Sequence, residues 1–263
     1  MVNRINDLTQ ARNKFKLKIN DGDEIFEIDN FYYAHFKKEV MMAYDEVFRV
    51  NFLSDHNLNH ENFEINFNLL DDYYKHEVLL SFAHYDKRLE RYNYESFIRH
   101  KYLEIEDKFS YIDKIEKLKD PSIALELYSR FMDKFDLYIK RDLKYYEDLI
   151  ASLNQNESLY LVNDNAYMLV SEYDDHYLVS ELIYFDKKAI ENIIAFLADK
   201  KLIIRLSEHE ALDRFFKAKT YYENSYMLKI NDYQLLSRVY NKRINTINDF
   251  RKISNKTSWV NFR

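Results

Sequence analysis

Cysteine is absent from the 263 residues, and glycine and proline occur once each, as Gly22 and Pro121. Without cysteine there is no disulfide, no thiol nucleophile and no thiolate metal site, a usage that fits a reducing compartment. Average glycine usage of ~7% would give about 18 residues in a chain of this length. The shortage, beside abundant Asn, Lys, Ile and Tyr, matches an AT-rich genome and carries no functional content. Its consequence is physical all the same. Sites that bring several glycines against phosphate are excluded, so a P-loop, a GxGxxG dinucleotide turn and a GxSxG elbow are ruled out in their usual forms. No apolar run approaches the ~18 residues of a membrane span. Residues 1–14 are polar and mixed in charge, unlike a signal peptide. The formal net charge is −6, which speaks against general nucleic-acid binding, since that draws on Lys and Arg contacts to phosphate. These features predict a cytoplasmic protein with neither a membrane nor a nucleic-acid partner.

What the chain has in quantity is aromatic side chains, 24 Tyr and 19 Phe. Interleaved with Leu and Ile at strand and helix periods, they are expected in the core. The clearest order lies in residues 158–232. Runs at 158–162 and 166–173 are separated by Asn163-Asn165 turn residues, and Asp174-Asp175 precedes a third run at 176–185. Such spacings predict a three-stranded antiparallel meander. Asp186 caps a helix over 187–200, whose Ile190, Ile193, Ile194 and Leu197 form one buried stripe. A strand at 201–206 follows. Ser207 and Glu210 read as a capping box opening a second helix with Leu212, Phe215 and Phe216 on one face. A strand at 221–230 closes the order β-β-β-α-β-α-β.

Earlier in the chain, 3–13 is either a short helix or a disordered lead. The alternation at 15–19 predicts a strand that turns through Asp21-Gly22-Asp23 into 24–28, with the one glycine where positive φ is wanted. Further strands are expected at 31–36 and 39–52, the latter broken near Asp45-Glu46. A helix at 62–75 with Phe63, Phe67 and Leu70 inward precedes a strand at 78–82. Residues 84–92 read as a helix with Tyr85, Leu89 and Tyr92 aligned, and 95–105 as a strand. Helices are expected at 123–136, opened by Asp120-Pro121, at 142–153 and at 233–244, before a polar tail carrying Trp259. Residues 78–105 and 201–230 repeat strand–helix–strand at an offset of about 125, too long for a solenoid and suited to a duplicated domain. His56 and His60 lie at a helical metal-ligand spacing. No third ligand is evident, so no metal site is expected.

The collinear order resembles the GNAT (Gcn5-related N-acetyltransferase) superfamily, and within it the tandem enhanced-intracellular-survival branch. Met227-Leu228-Lys229-Ile230-Asn231-Asp232 stands where that branch reads roughly "MLRIVD". Leu127-Tyr128-Ser129-Arg130-Phe131 with Lys140-Arg141-Asp142 looks like its "LYxRF…xRD". The likeness is good from Val78 to Asp232. It implies an α+β (mixed α/β) fold of tandem GNAT-like halves, each a mostly antiparallel sheet flanked by helices. The divisions are a shortened N-terminal half at 1–118, a second half at 119–232, and a helix and polar tail at 233–263 without the branch's sterol-carrier-like domain.

The implied reaction is acetyl transfer from acetyl-CoA to an amine. The resemblance places acetyl-CoA at the end of the strand 48–52 and the loop after it. That makes Arg49, Val50, Phe52, Asn57 and Asn59 the expected cofactor-binding residues. The loop 54–61 departs from the family's R/QxxGxG/A pattern, having no glycine, no Arg and two acids. Aligning Arg91-Tyr92-Asn93-Tyr94-Glu95 on "RFGYE" puts Leu89 where the family carries its tyrosine acid. Tyr85 is the catalytic candidate only if the helix is shifted by a turn; otherwise it is a packing residue. Three losses (the loop glycines, the tyrosine and the third domain) predict weak or lost transfer. The alternative is a non-catalytic GNAT-fold binding or assembly module facing a protein partner or a second copy in a homo-oligomer. A nucleic-acid or metal protein of another fold is the third possibility.

Overall fold

The computed structural model describes residues 2–17, 19, 22–28, 31–43, 46–57, 78–110 and 113–253. In chain order the elements are β1 (Val2–Ile5), α1 (Leu8–Phe15), β2 (Glu24–Ile28), β3 (Tyr32–Ala43), β4 (Glu46–His56), β5 (Leu80–His84) and β6 (Glu95–Ile105). There follow β7 (Ile115–Lys117), α2 (Pro121–Met132), β8 (Leu137–Ile139), α3 (Leu143–Ser152), β9 (Glu157–Val162), β10 (Ala166–Glu172) and β11 (His176–Ile183). The chain continues with α4 (Lys187–Phe196), β12 (Lys201–Ser207), β13 (Ala218–Ile230), α5 (Tyr233–Val239) and α6 (Ile247–Ile253). Among the described residues no helix is long and apolar enough to cross a membrane. The chain divides into two compact units, the first holding residues up to Phe97 and again from Asn224, the second Ile98–Glu223. It leaves the first unit inside β6 and returns to it inside β13. The fold is mixed α+β, and two halves with separate sheets are not evident.

In the first unit β1, β2, β3 and β4 pair antiparallel in sequence, β4 pairs β5 in parallel, and β5 pairs β13 antiparallel. Among the described residues the strand expected at 15–19 is not formed, and Phe15 belongs to α1. Asp7 caps α1 instead, its carboxylate accepting the Thr9 and Gln10 N–H groups, and Lys16 ends the helix in the left-handed region at φ 55°. Satisfying free N–H groups at a helix start outweighs a weak alternation over five residues. Gly22 does adopt positive φ, at 94°. One face of this sheet, with Phe26, Ala34, Phe36, Leu53, Ala83 and Met227, is covered by Leu89 and Tyr92. On the other face the C-terminal segment supplies the cover: Tyr240 stacks on Phe48 and Phe250 on Phe97, which meets Phe82.

The second unit repeats the pattern. The strands β7, β9, β10 and β11 pair antiparallel, β11 pairs β12 in parallel across α4, and β12 pairs β6 antiparallel. Asp186 caps α4 as expected, accepting the Ala189 N–H at 2.7 Å. Ile190, Ile193 and Ile194 of α4 pack on Met168, Val179, Leu182 and Ile204, each such burial being worth about 1.5–3 kcal/mol. On the opposite side Leu127 and Phe131 of α2, with Tyr146 and Leu149 of α3, pack on Leu161, Tyr167 and Leu169. The helix expected after Ser207 is reduced to the 3-10 turn Leu212–Arg214. Glu210 is buried there, so it cannot sit on the exposed first turn that a capping box requires.

Candidate active site

The parallel contact between β4 and β5 is only three pairs long: Asn51 with Ser81, Phe52 with Phe82, and Leu53 with Ala83. The pairing ends at Leu53, beside an irregularity in β4. In the β3–β4 ladder His35 faces Asp55 but Phe36 faces Leu53, so Ser54 is an extra residue, a β-bulge. A bulge bends its strand and raises local twist. The Ser54 hydroxyl donates to the His35 carbonyl at 3.2 Å. The fork encloses a cleft of about 250 Å³ lined by Leu53, Ser54, His56, Ala83, His84, Tyr85, Asp86 and Leu89.

Its polar groups come from both prongs. His56 ends β4, and its Nε2 lies 3.8 Å from the Asp86 carboxylate past the end of β5. Asp86 caps the 3-10 turn Lys87–Tyr92, accepting the Arg88 N–H, and its carboxylate also takes the Arg88 guanidinium through both oxygens. Burial pushes the Asp86 carboxyl up, but the Arg88 hydrogen bonds and charge, with His56, hold it below its ordinary value. His84 is exposed, its ring edge-to-face with Phe52 at 4.9 Å and beside Tyr226 at 5.3 Å.

The expected site residues scatter around this fork. Tyr85 lines the cleft at 39% exposure, its N–H donating to the Ser225 carbonyl at 2.9 Å. The helix expected over 84–92 begins only at Lys87, so Tyr85 lies in the extended link before it and no helical shift is needed to bring it to the cleft. Leu89 is buried in the cleft floor. Phe52 and Val50 are wholly buried on β4, and Arg49 is exposed. Asn57 ties β4 to β3, its side chain accepting the Tyr33 N–H at 2.6 Å and donating to the Phe31 carbonyl at 3.0 Å. Asn59, His60 and the helix expected at 62–75 lie outside the described residues. The sequence reasoning did not single out Ser54, His84 or Asp86 as site residues. For Asp86 a signal existed, an Asp directly before Lys87 that is a natural helix cap.

The second unit builds the same fork and fills it. The parallel pairs run from His176 with Lys201 to Val179 with Ile204, and the β10–β11 register skips Ser180. The Ser180 hydroxyl donates to the Leu169 carbonyl at 3.4 Å. The first residue past the last pair, where the other fork has His84, is Arg205, and its guanidinium donates to the Ser180 carbonyl at 3.2 and 2.9 Å. Only about 10 Å³ remains among His100, Ser180, Leu182, Arg205, Leu206, Ser207 and Glu210. Burial raises the Glu210 carboxyl above its ordinary 4.5, outweighing the pull of Lys134, Tyr184, Ser207 and Lys101. The folded chain therefore keeps a proton there that the unfolded chain releases. That stability is present in acid and is lost as pH rises above about 4.5 through the raised folded value, at a slope of up to about 1.4 kcal/mol per unit. Urea midpoints measured from pH 4.5 upward should fall less steeply in Glu210→Gln than in the parent; equal slopes would count against the burial account.

A meander, a crossover between two parallel strands and a bulge that opens them are the features on which the chain can be compared with solved structures. The chain is similar to a GCN5-related N-acetyltransferase from Anabaena variabilis, with a TM-score of 0.63 at 13% identity over 88% of this chain and 73% of that one. The chain has the fold of the GCN5-related N-acetyltransferases. Eis1 from Mycobacterium abscessus shares this GNAT fold with a TM-score of 0.59 at 10% identity, over 88% and 73% of the two chains. Saccharomyces cerevisiae N-myristoyltransferase with bound myristoyl-CoA is similar at a TM-score of 0.54 and 8% identity, over 87% and 79%. No protein-family model and no curated protein sequence matches the chain.

Proposed function

We propose that the first unit's fork binds the acyl-pantetheine end of an acyl-CoA, acetyl-CoA being the first case, and passes the acyl group to an amine. The observation that carries this is the cleft of about 250 Å³ opened by the Ser54 bulge between two parallel strands. A thioester held there is presented to an amine in a fixed orientation, which is the main source of rate in such transfers. Leu53, Ala83 and Leu89 give it an apolar floor. Tyr85, the phenol lining the cleft, is the candidate proton donor to the departing thiolate, because Leu89 has no proton to give. The second fork, closed by Arg205, supports reading the chain as a tandem of GNAT-like halves, as in the enhanced-intracellular-survival branch. The cysteine-free composition suits a cytoplasmic setting.

Calorimetric titration should give saturable acetyl-CoA binding with Kd on the order of 0.1–1 mM, weak because the loop 54–61 lacks the glycines that would cradle a pyrophosphate. Ser54→Trp, which fills the cleft, should weaken binding by at least ~10-fold while thermal melting reports an intact fold. Absence of binding at millimolar acetyl-CoA would favour the second reading, a GNAT-fold binding or assembly module. Leu89 at the place of the expected phenol is the observation on that side.

A further inference from the structure

We infer that the first unit carries a buried binding site between Asn51 of β4, Ser81 of β5 and Asn231 just past β13, and that its ligand is one ordered water. Asn51 is 1% exposed, and among the described residues neither its Oδ1 nor its Nδ2 has a hydrogen-bond partner. Leaving both ends of a carboxamide unmet in the interior costs more than a typical hydrogen bond returns. Folded chains meet such groups with protein or with water.

The neighbours of Asn51 are suited to hold that water. Asn51 stands opposite Ser81 in the first of the three parallel pairs. Paired strands lie about 4.8 Å apart, and side chains paired across them project from the same face. Ser81 is buried. Its Oγ accepts Asn231 Nδ2 at 2.9 Å, and Nδ2 also donates to the Val78 carbonyl at 2.8 Å. A carbonyl only accepts, so these bonds fix which end of the Asn231 carboxamide is nitrogen. The other end, Oδ1, is buried and has no partner among the described residues. Among those residues the Ser81 hydroxyl receives its bond from Asn231 and gives none.

Two acceptors, the Oδ1 atoms of Asn51 and Asn231, and two donors, Asn51 Nδ2 and the Ser81 hydroxyl, therefore remain along one row. Water has two protons and two lone pairs, and buried waters make about three hydrogen bonds. An ammonium cannot accept and a carboxylate cannot donate, so either would leave half of the set unmet. The site is also closed to larger ligands: Leu53 and Ala83 line the cleft, but Asn51 and Ser81 do not. The fold itself does not demand polar residues here. Three residues before the Ser180 bulge, as Asn51 is before Ser54, Tyr177 stands opposite Leu202, and Leu202 belongs to the apolar core under α4. Asn231 directly precedes Asp232, the cap of α5. The water thus joins the stem of the fork to the start of the C-terminal segment.

Two measurements test this. Diffraction from crystals of the intact chain, at a resolution that orders interior water, should show one water at about 2.7–3.2 Å from Asn51, Asn231 Oδ1 and Ser81 Oγ. An ion in that place, an Asn51 carboxamide bonded directly to a protein group, or no density would each overturn the site. Thermal melting of Asn51→Ala, Asn231→Ala and the double variant gives the second test. Asn51 and Asn231 share no direct hydrogen bond, so a common water is what couples them. Each single variant should melt earlier, and the double variant should lose about 2–4 °C less than the two losses added. A rise in melting temperature for Asn51→Ala, as removal of an unmet amide would give, or strictly additive losses would overturn the inference. Should a variant fail to fold, diffraction from the parent chain still decides.

Discussion

Replacing Arg141 by methionine is expected to destabilise the protein by about 3–5 kcal/mol, because it strands a buried carboxylate. Arg141 and Glu181 are 1% and 0% exposed at their side chains, and the guanidinium donates to Glu181 Oε1 at 2.7 Å. The same oxygen receives the Tyr167 hydroxyl, which in turn meets the Tyr146 hydroxyl at 2.9 Å. Tyr128 and Tyr145 lie against the guanidinium at 4.4 and 4.2 Å. Glu181 Oε2 finds no hydrogen-bond partner among the described residues, so the pair is what keeps the charge tolerable. Chemical denaturation of Arg141→Met measures the loss. The double variant Arg141→Met, Glu181→Leu should recover most of it, since removing both charges removes the desolvation cost as well. A loss below ~1 kcal/mol in the single variant would mean water reaches the pair. Glu181 directly follows the Ser180 bulge, so the network also holds the prong on which Arg205 closes the second fork.

That network shows where the sequence was informative and where it was not. Lys140-Arg141-Asp142 resembles the family's string, yet nothing local tells that Arg141 turns inward to a strand forty residues later. Elements whose signals are local were legible: the meander from Glu157 to Ile183, the Asp186 cap and the isoleucine stripe of α4 all lie where spacing put them, with ends displaced by a few residues. Signals that tertiary burial can override were misleading. Ser207 and Glu210 have the spacing of a helix start, but Glu210 is drawn into the core beside Lys101, whose Nζ bonds the Glu210 carbonyl and the Asp213 carboxylate. The forks were invisible for another reason. A bulge exists only relative to the partner strand, so Ser54 and Ser180 look like ordinary strand residues until the register with β3 and β10 is known. Each unit also completes its sheet with a strand from the other part of the sequence, β13 beside β5 and β6 beside β12, and two strands ending Tyr-Leu-Glu-Ile and Met-Leu-Lys-Ile give no hint of which goes where.

Phe250→Ala is expected to cost about 3–5 kcal/mol, although the sequence had suggested no more than a polar tail beyond Ile244. Phe250 is wholly buried, with its ring centroid 5.9 Å from both Phe97 and Tyr240. Tyr240 in turn stacks on Phe48 of β4 at 6.1 Å and donates its hydroxyl to the Ala43 carbonyl at 3.1 Å. Ile247 and Leu236 are also fully covered. The segment from Asp232 to Ile253 is therefore the lid over one face of the first unit's sheet, the face that carries Phe52 and Phe82. Truncating the ring leaves a cavity that the surrounding aromatics cannot collapse into without shifting, which is why the cost exceeds simple transfer of the lost carbons. The effect should reach the fork as well. Once β4 loses its brace at Phe48, the spacing between its prong and β5 is no longer set. Acetyl-CoA affinity should therefore fall in parallel with the melting temperature, although Phe250 does not line the cleft. A variant that melts early yet binds acetyl-CoA as the parent does would show that the Ser54 bulge alone fixes the fork, and that the C-terminal segment serves stability only.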